Sequence, residues 1–363
     1  MAAEALAGMG LVLLAGILSG ASPAPLKAMR RYGFEHWSLL AAVCGQVALP
    51  WVAAWMLCPG LGAALGSVDP GALILANLLS AAWGVAAVLY GLSLVRIGFG
   101  LAVGLLTGIG LPIGVLLPLM LRGSGGFADA PGLASASGIA IAAGTLLMLV
   151  AVACFAGAGM RRDAGRSISS GSLRTGLAMA VGAGVLQAGL GLAFVYTQGP
   201  IGAALRAGGA GESGAGIGVW AVTLPGGAAV GIGYATWMLI RRGTWRIFAS
   251  SPRDGMLALA MGVMFFLFLA CLGAGMCRMG ALGASIGFGL YQIAQLAAAQ
   301  AVGLASGEWR EAPRGAMRRL WSAIAIASLA VVVMAAGRWF AVAPAPAPAG
   351  AGTSSETTGV TMV

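Results

Sequence analysis

Ionisable side chains are what this 363-residue sequence has least of: Asp, Glu, Lys and Arg make up 8% of it, with ten carboxylates and one histidine. That scarcity excludes an ordinary water-facing surface, since soluble domains carry about 25% charged residues. It also argues against an enzyme. Intramembrane catalysis needs paired carboxylates or histidines within the apolar segments, and the lone His36 lies beside Glu35 without a Ser or Cys nucleophile motif. The chain lacks a Walker loop, which excludes a self-contained ATP-driven pump. Its five cysteines (Cys44, Cys58, Cys154, Cys271, Cys277) lie mostly in apolar stretches without CxxC or His-paired spacing, so neither a metal centre nor a disulfide framework is expected. The net charge of +10 sits in loops and lacks an aromatic-studded basic domain, which argues against nucleic acid.

Long apolar runs dominate instead, with 60% of residues hydrophobic. A helix of ~20 apolar residues crosses the ~30 Å hydrocarbon core with its backbone hydrogen bonds satisfied internally. The pattern predicts an all-α, polytopic membrane protein with ten transmembrane helices, over 5–22, 36–57, 72–93, 98–121, 136–158, 174–197, 217–240, 256–277, 281–305 and 320–342. With the N-terminus outside, sixteen of the 20 Lys and Arg residues fall in inner loops and four outside. That is the bias expected of short cytoplasmic loops, so both termini are expected outside the cytoplasm.

Residues 1–160 then form a first five-helix repeat, 161–173 a basic cytoplasmic linker and 174–342 a second repeat; 343–363 form a disordered Pro/Ala and Ser/Thr tail. An odd number of spans per half inverts one half against the other. Short internal matches agree: Gly16-Ile-Leu-Ser-Gly-Ala-Ser with Gly184-Val-Leu-Gln-Ala-Gly-Leu, and Arg96-Ile-Gly with Arg278-Met-Gly. Two inverted repeats predict a site near mid-membrane between the halves. Glycines at helical spacing, Gly100-x3-Gly104-x3-Gly108 and Gly283-x3-Gly287, suit close helix packing in lipid.

Several segments resemble the bacterial L-rhamnose–proton symporter family, a ten-span branch of the drug/metabolite transporter superfamily. They are Ala24-Pro25-Leu26-Lys27, Glu35 and Leu49-Pro50-Trp51 in the first hairpin, and Ala82-Trp83-Gly84 through Tyr90-Gly91-Leu92-Ser93 to Gly98. Gly176-Leu177, Gly184 and Ala188-Gly189 follow the same pattern, as do Val302-Gly303-Leu304 and Glu308-Trp309. Where that family carries an Asn-x-Asn pair, this chain has Ala87 and Leu89. The resemblance implies a sugar transporter architecture and proton symport in the inner membrane, with no cofactor and the proton gradient as a driving force. The departures leave the substrate and the coupling ion open.

A sugar site needs hydrogen-bonding side chains around hydroxyls and an aromatic face against the ring. The candidates inside the spans are Trp83, Tyr90, Gln187, Tyr291, Gln292 and Gln295, with Gln292 and Gln295 one helical turn apart. Trp220, Trp237 and Trp321 lie nearer span ends, where aromatic belts form. Lys27 is placed near Glu35 at the inner mouth; Glu35 and His36 are candidates for coupling, and Arg278 for pairing or gating on the outer side. Arg96 is expected in a short hairpin loop. The leading expectation is a secondary carrier of a small neutral sugar working by alternating access, with the sugar and the lipid bilayer as its partners and the oligomeric state open. The alternatives are an exporter of amino acids or small lipophilic metabolites, and a non-transporting membrane sensor or subunit.

Overall fold

Apolar residues run around nearly every face of the chain's helices, and the resulting bundle turns Trp55, Met120, Leu146, Ile240 and Val332 outward. Water would penalise such a surface; hydrocarbon does not. The computed structural model describes residues 2–97, 99–120, 132–163, 173–279 and 286–342. The described residues form helices and turns without a strand. Eight helices are long and apolar enough to cross a membrane, and Leu101–Leu117 is a shorter apolar one, so this is a multi-pass membrane protein. The tail 343–363 and most of the 161–173 linker lie outside the described residues.

In chain order the helices are α1 (Ala2–Ala21), α2 (Phe34–Ala42), α3 (Leu49–Leu57), α4 (Leu61–Gly66), α5 (Pro70–Ile97), α6 (Phe99–Met120), α7 (Ala136–Asp163) and α8 (Leu173–Gln187). There follow α9 (Gly189–Thr197), α10 (Ala203–Ala207), α11 (Glu212–Arg242), α12 (Ile247–Ser250), α13 (Pro252–Met279), α14 (Phe288–Ala305) and α15 (Arg314–Val342). Helix α1 packs between α13 and α14, α8 packs against α5 and α6, and α7 pairs with α15 at one side. Small residues permit the close approaches. A methyl group at Gly8 would come within 2.8 Å of Gly275 O, and one at Gly275 within 2.7 Å of Gly8 O. In lipid such contact is a main source of helix association.

Three helices depart from the smooth spans that the apolar runs suggest. Between α2 and α3 the chain forms a π-helical turn, Val43–Ala48, with Leu49 N–H bonded to Cys44 O. Its cause is Pro50, which has no N–H to offer the carbonyl four residues back. The expected span 174–197 breaks at Ala188 into α8 and α9, and a second π turn, Gln198–Gly202, follows. Within α11, Pro225 interrupts the hydrogen-bond ladder near the middle of the helix. Arg96, expected in a hairpin loop, lies instead in the last turn of α5. There its guanidinium donates to Leu92 O at 2.8 Å, four residues back along the same helix, where a cation in the last turn also suits the helix dipole.

Candidate functional site

The seam between α1 and α14 holds a relay made only of side chains. Gln295 Nε2 donates to Ser19 Oγ at 2.9 Å, and Ser19 Oγ lies 3.2 Å from the Tyr291 hydroxyl. The seam closes because α1 presents glycines to α14: a methyl group at Gly16 would collide with Tyr291 O and Ala294 Cβ, and one at Gly20 with Gln295 O. From Tyr291 a row of rings crosses the bundle. Tyr291 stacks on Phe268 at 5.7 Å, Phe268 meets Phe265 edge-on at 4.9 Å, and Phe265 lies 5.9 Å from Trp83. Three predicted site residues, Trp83, Tyr291 and Gln295, are thereby joined across α5, α13 and α14. An aromatic row ending in hydroxyls and a carboxamide offers an apolar platform and directional polar groups to one small ligand.

Trp83 also borders the stretch of α11 that follows Pro225, where its ring packs on Gly227. Two residues of the same α5 face bond this stretch. Asn77 Nδ2 donates to Val222 O at 3.0 Å and its Oδ1 accepts the Gly226 N–H at 2.8 Å; Ser80 Oγ accepts the Gly227 N–H at 3.1 Å.

The other sequence candidates lie elsewhere. Gln292 is one turn from Gln295, yet the two meet different neighbours. Gln292 is buried, its Nε2 has no hydrogen-bond partner among the described residues, and with Thr107, Met148 and Phe155 it borders a void of ≈ 10 Å³. Gln187 ends α8 beside Gly110 of α6, with its Oε1 buried and likewise unpaired among the described residues. Tyr90 packs in a separate apolar cluster with Ile97, Leu101 and Leu177. Trp220 does not join an interfacial belt: it is 2% exposed and stacks on Phe194 at 4.1 Å, because Gly273 leaves no side chain beneath the pair. Trp237 and Trp321 do face outward.

Charges gather at one end of the bundle. Lys27 pairs with Glu308 at 2.7 Å rather than with Glu35, and it also bonds Ser306. Glu308 takes a second cation, Arg162, at 3.2 Å, and Arg162 lies over the Trp309 ring at 5.0 Å. Glu35 instead pairs with Arg242 at 3.0 Å. Gly243, at φ 65°, ends α11 in the left-handed region, which turns Thr244 toward α2. There His36 Nε2 donates to Thr244 O at 2.9 Å while its Nδ1 accepts the Gly33 N–H at 3.2 Å, so both ring nitrogens are used. The Asp254 carboxylate accepts the N–H groups of Arg30, Arg31 and Tyr32, clasping this loop to α13. Burial and the nearby Asp254 charge together push the Tyr32 phenol above its ordinary range. Arg278 is exposed in the last turn of α13, with its Cβ beside Gly8 of α1.

Ser19, Asn77 and Ser80 escaped the sequence reading, because single small polar residues in apolar runs carry no pattern. A signal for the latter two was present: Pro225-Gly226-Gly227 midway along an apolar stretch marks a broken helix whose amides need partners.

Among known proteins, the chain is similar to L-rhamnose-proton symporters of Pectobacterium atrosepticum (26% identical over 211 residues, 58% of this chain and 60% of that protein) and Cronobacter sakazakii (27% over 171 residues, 47% and 49%). The Yersinia pestis protein of the same name is 25% identical over 171 residues, again 47% and 49% of the two chains. The matched region thus spans about half to three fifths of these relatives' lengths. The family model described as L-rhamnose-proton symport protein matches residues 3–338, nearly the whole chain. The chain belongs to that family.

Proposed function

We propose that this protein is a secondary carrier, not an enzyme, that moves a small neutral sugar together with a proton, L-rhamnose being the first substrate to test. The observation that carries this is the Ser19–Tyr291–Gln295 relay at the end of the Tyr291–Phe268–Phe265–Trp83 row. In a chain with so few polar groups, hydroxyls and a carboxamide gathered beside an aromatic row inside the bundle offer a hydrophilic ligand its partners. Family membership supplies the substrate class, and the imposed proton gradient needs no cofactor.

The carrier works by alternating access between two inverted five-span halves, placing it in the drug/metabolite transporter superfamily. The pattern of neighbours supports the inversion. Exchanging α1 with α8–α9, α2–α3 with α11, α5 with α13, α6 with α14 and α7 with α15 turns several of the most extensive contacts into other observed contacts. The α1–α13 and α1–α14 pairs become α8–α5 and α8–α6; α5–α11 becomes α13–α2; and α6–α7 becomes α14–α15. The match of Gly108-Ile109-Gly110-Leu111 in α6 with Gly287-Phe288-Gly289-Leu290 at the start of α14 is in keeping with this exchange. Contacts among Lys27, Arg162 and Glu308 gather three inner loops at one end, in keeping with both termini outside an inner bacterial membrane. In this arrangement those ion pairs close the inner mouth.

Uptake of radiolabelled L-rhamnose into proteoliposomes under an imposed pH gradient tests the proposal. Accumulation that collapses with the gradient, with sugar-evoked alkalinisation of the medium, is the expected result. Uptake without proton movement refutes symport, and no flux of any neutral sugar refutes the carrier itself.

A further inference from the structure

The carboxamide of Asn77 bridges two backbone groups that could satisfy each other. Its Nδ2 donates to Val222 O at 3.0 Å and to Leu73 O of its own helix at 3.0 Å, while its Oδ1 accepts the Gly226 N–H at 2.8 Å. In an unbroken α-helix, the N–H of residue 226 bonds the carbonyl of residue 222. The side chain thus bonds both ends of one rung of α11. Pro225 removes the adjoining rung by lacking an N–H, and Ser80, one turn along α5, accepts the Gly227 N–H at 3.1 Å beside the next, where α11 continues as a helix.

We propose that Asn77 is a substrate-binding residue, parked in the α11 ladder while the site is empty, and that vicinal hydroxyls of a neutral sugar replace Val222 O and the Gly226 N–H as its partners. The inference rests on the sugar-carrier function proposed above. The exchange leaves no polar group bare: Gly226 N–H and Val222 O close their own rung, and the carboxamide gains a hydroxyl donor and a hydroxyl acceptor. No covalent bond changes. Without a ligand, withdrawal strands an unpaired amide in an apolar interior, so the parked state is the resting one.

A permanent strut would gain more by bonding Ala221 O, whose helical donor Pro225 has removed. Asn77 instead holds a donor and an acceptor that can do without it. Trp83, six residues further along α5, packs on Gly227, so an aromatic face for the sugar's C–H surface lies beside the same break. Exchanging these bonds would alter the link between α5 and α11 at mid-span. Ligand binding would then be tied to the rearrangement that alternating access requires.

The test is equilibrium exchange of radiolabelled neutral monosaccharides and their monodeoxy analogues by full-length protein in proteoliposomes, which needs no proton gradient. Asn77→Ser should raise the sugar KM about tenfold or more, the size of one to two well-made hydrogen bonds. It should also become indifferent to the loss of one hydroxyl to which the wild type is sensitive. An unchanged KM overturns the inference, and so does weakening of every analogue by one common factor, the signature of a strut. Should Asn77→Ser not fold, Pro225→Ala decides. By favouring the closed ladder it should tighten sugar binding several-fold, and unchanged or weaker binding overturns the inference. Wild-type protein that exchanges no neutral monosaccharide removes the sugar function and this inference together; wild-type exchange with an unaffected Asn77→Ser removes this inference alone.

Discussion

Two seams related by the proposed inversion are built from opposite materials. Where α5 meets α11, Asn77 and Ser80 bond directly into the ladder of the facing helix. Where α13 meets the π turn between α2 and α3, backbone packs directly on backbone, with only the weak thiol donor Cys44 Sγ reaching Leu259 O at 3.9 Å among the described residues. A methyl group at Gly45 would strike Gly262, and one at Gly262 would come within 2.9 Å of both Ala41 O and Cys44 Cβ. Each seam has a proline-induced irregularity on one side, Pro225 or Pro50. Lipid gives helices no hydrophobic drive to associate, so close approach must come from packing or from hydrogen bonds. A packed seam accepts no added atom but lets its helices slide; a bonded seam fixes register yet can trade partners.

The largest expected effect breaks the packed seam. Gly262→Val should destabilise the protein by about 1–3 kcal/mol, because the atoms it meets are backbone and a short side chain that cannot swing away. Thermal unfolding in detergent measures this. A fully tolerated valine would mean that the seam is loose, and the contrast with α5–α11 would fail.

Next comes the polar relay between α1 and α14, set against its counterpart between α8 and α6. Ser19→Ala leaves Gln295 Nε2 and the Tyr291 hydroxyl without their shared partner, at a cost of about 1 kcal/mol in stability. Its effect on sugar exchange should be far larger than its effect on unfolding. The counterpart, where Gly184 packs on Leu105 and Leu106 carbonyls of α6 and Gln187 lies beside Gly110, holds no such relay among the described residues. Gly184→Ala should therefore act on stability before it acts on sugar affinity. If both variants change unfolding and exchange in the same proportion, the relay is structural glue.

How much of this could be read from sequence follows from the same physics. Apolar runs announced the helices, because burial in hydrocarbon leaves few other choices. Trp83, Tyr291 and Gln295 stood out because large or polar residues are rare in such runs. Pairing did not follow. Lys27 was placed near Glu35 because both lie in one loop, whereas Lys27 meets Glu308 and Glu35 meets Arg242. Long-range partners depend on which loops share an end of the bundle, information that hydropathy does not hold. Trp220 was assigned to the rim by its distance from a span end, yet Gly273 on a distant helix makes a slot for it. The same blindness hid Asn77, whose partners lie 145 and 149 residues away.

The two charged clasps at one end sharpen the comparison further. Glu308 bridges Lys27 and Arg162 with its side chain 42% exposed, while Glu35 meets Arg242 with its own at 3%. Exposed pairs are worth about 0.2–1 kcal/mol and are screened by salt, so Glu308→Gln should cost little stability, and less still at high salt. If these pairs hold the inner mouth shut, the variant should nonetheless exchange sugar faster. Slower exchange would assign Glu308 to the pathway rather than to its closure.

The smallest effect is expected at Ser80. Its hydroxyl accepts one amide proton, from Gly227, and hydrogen bonds between membrane helices average about 0.6 kcal/mol. Ser80→Ala should lie close to that value, because α11 is continuous through Gly227 and its N–H keeps the Thr223 carbonyl of its own ladder. The consequence separates the two bolts. Losing Ser80 alone leaves Asn77 parked, so sugar affinity should shift by less than about threefold, the equivalent of that energy. A Ser80→Ala loss of 2 kcal/mol or about thirtyfold in affinity would mean that α11 cannot close its own ladder. The bonded seam would then be a fixed strut, no more able to trade partners than Gly45 against Gly262.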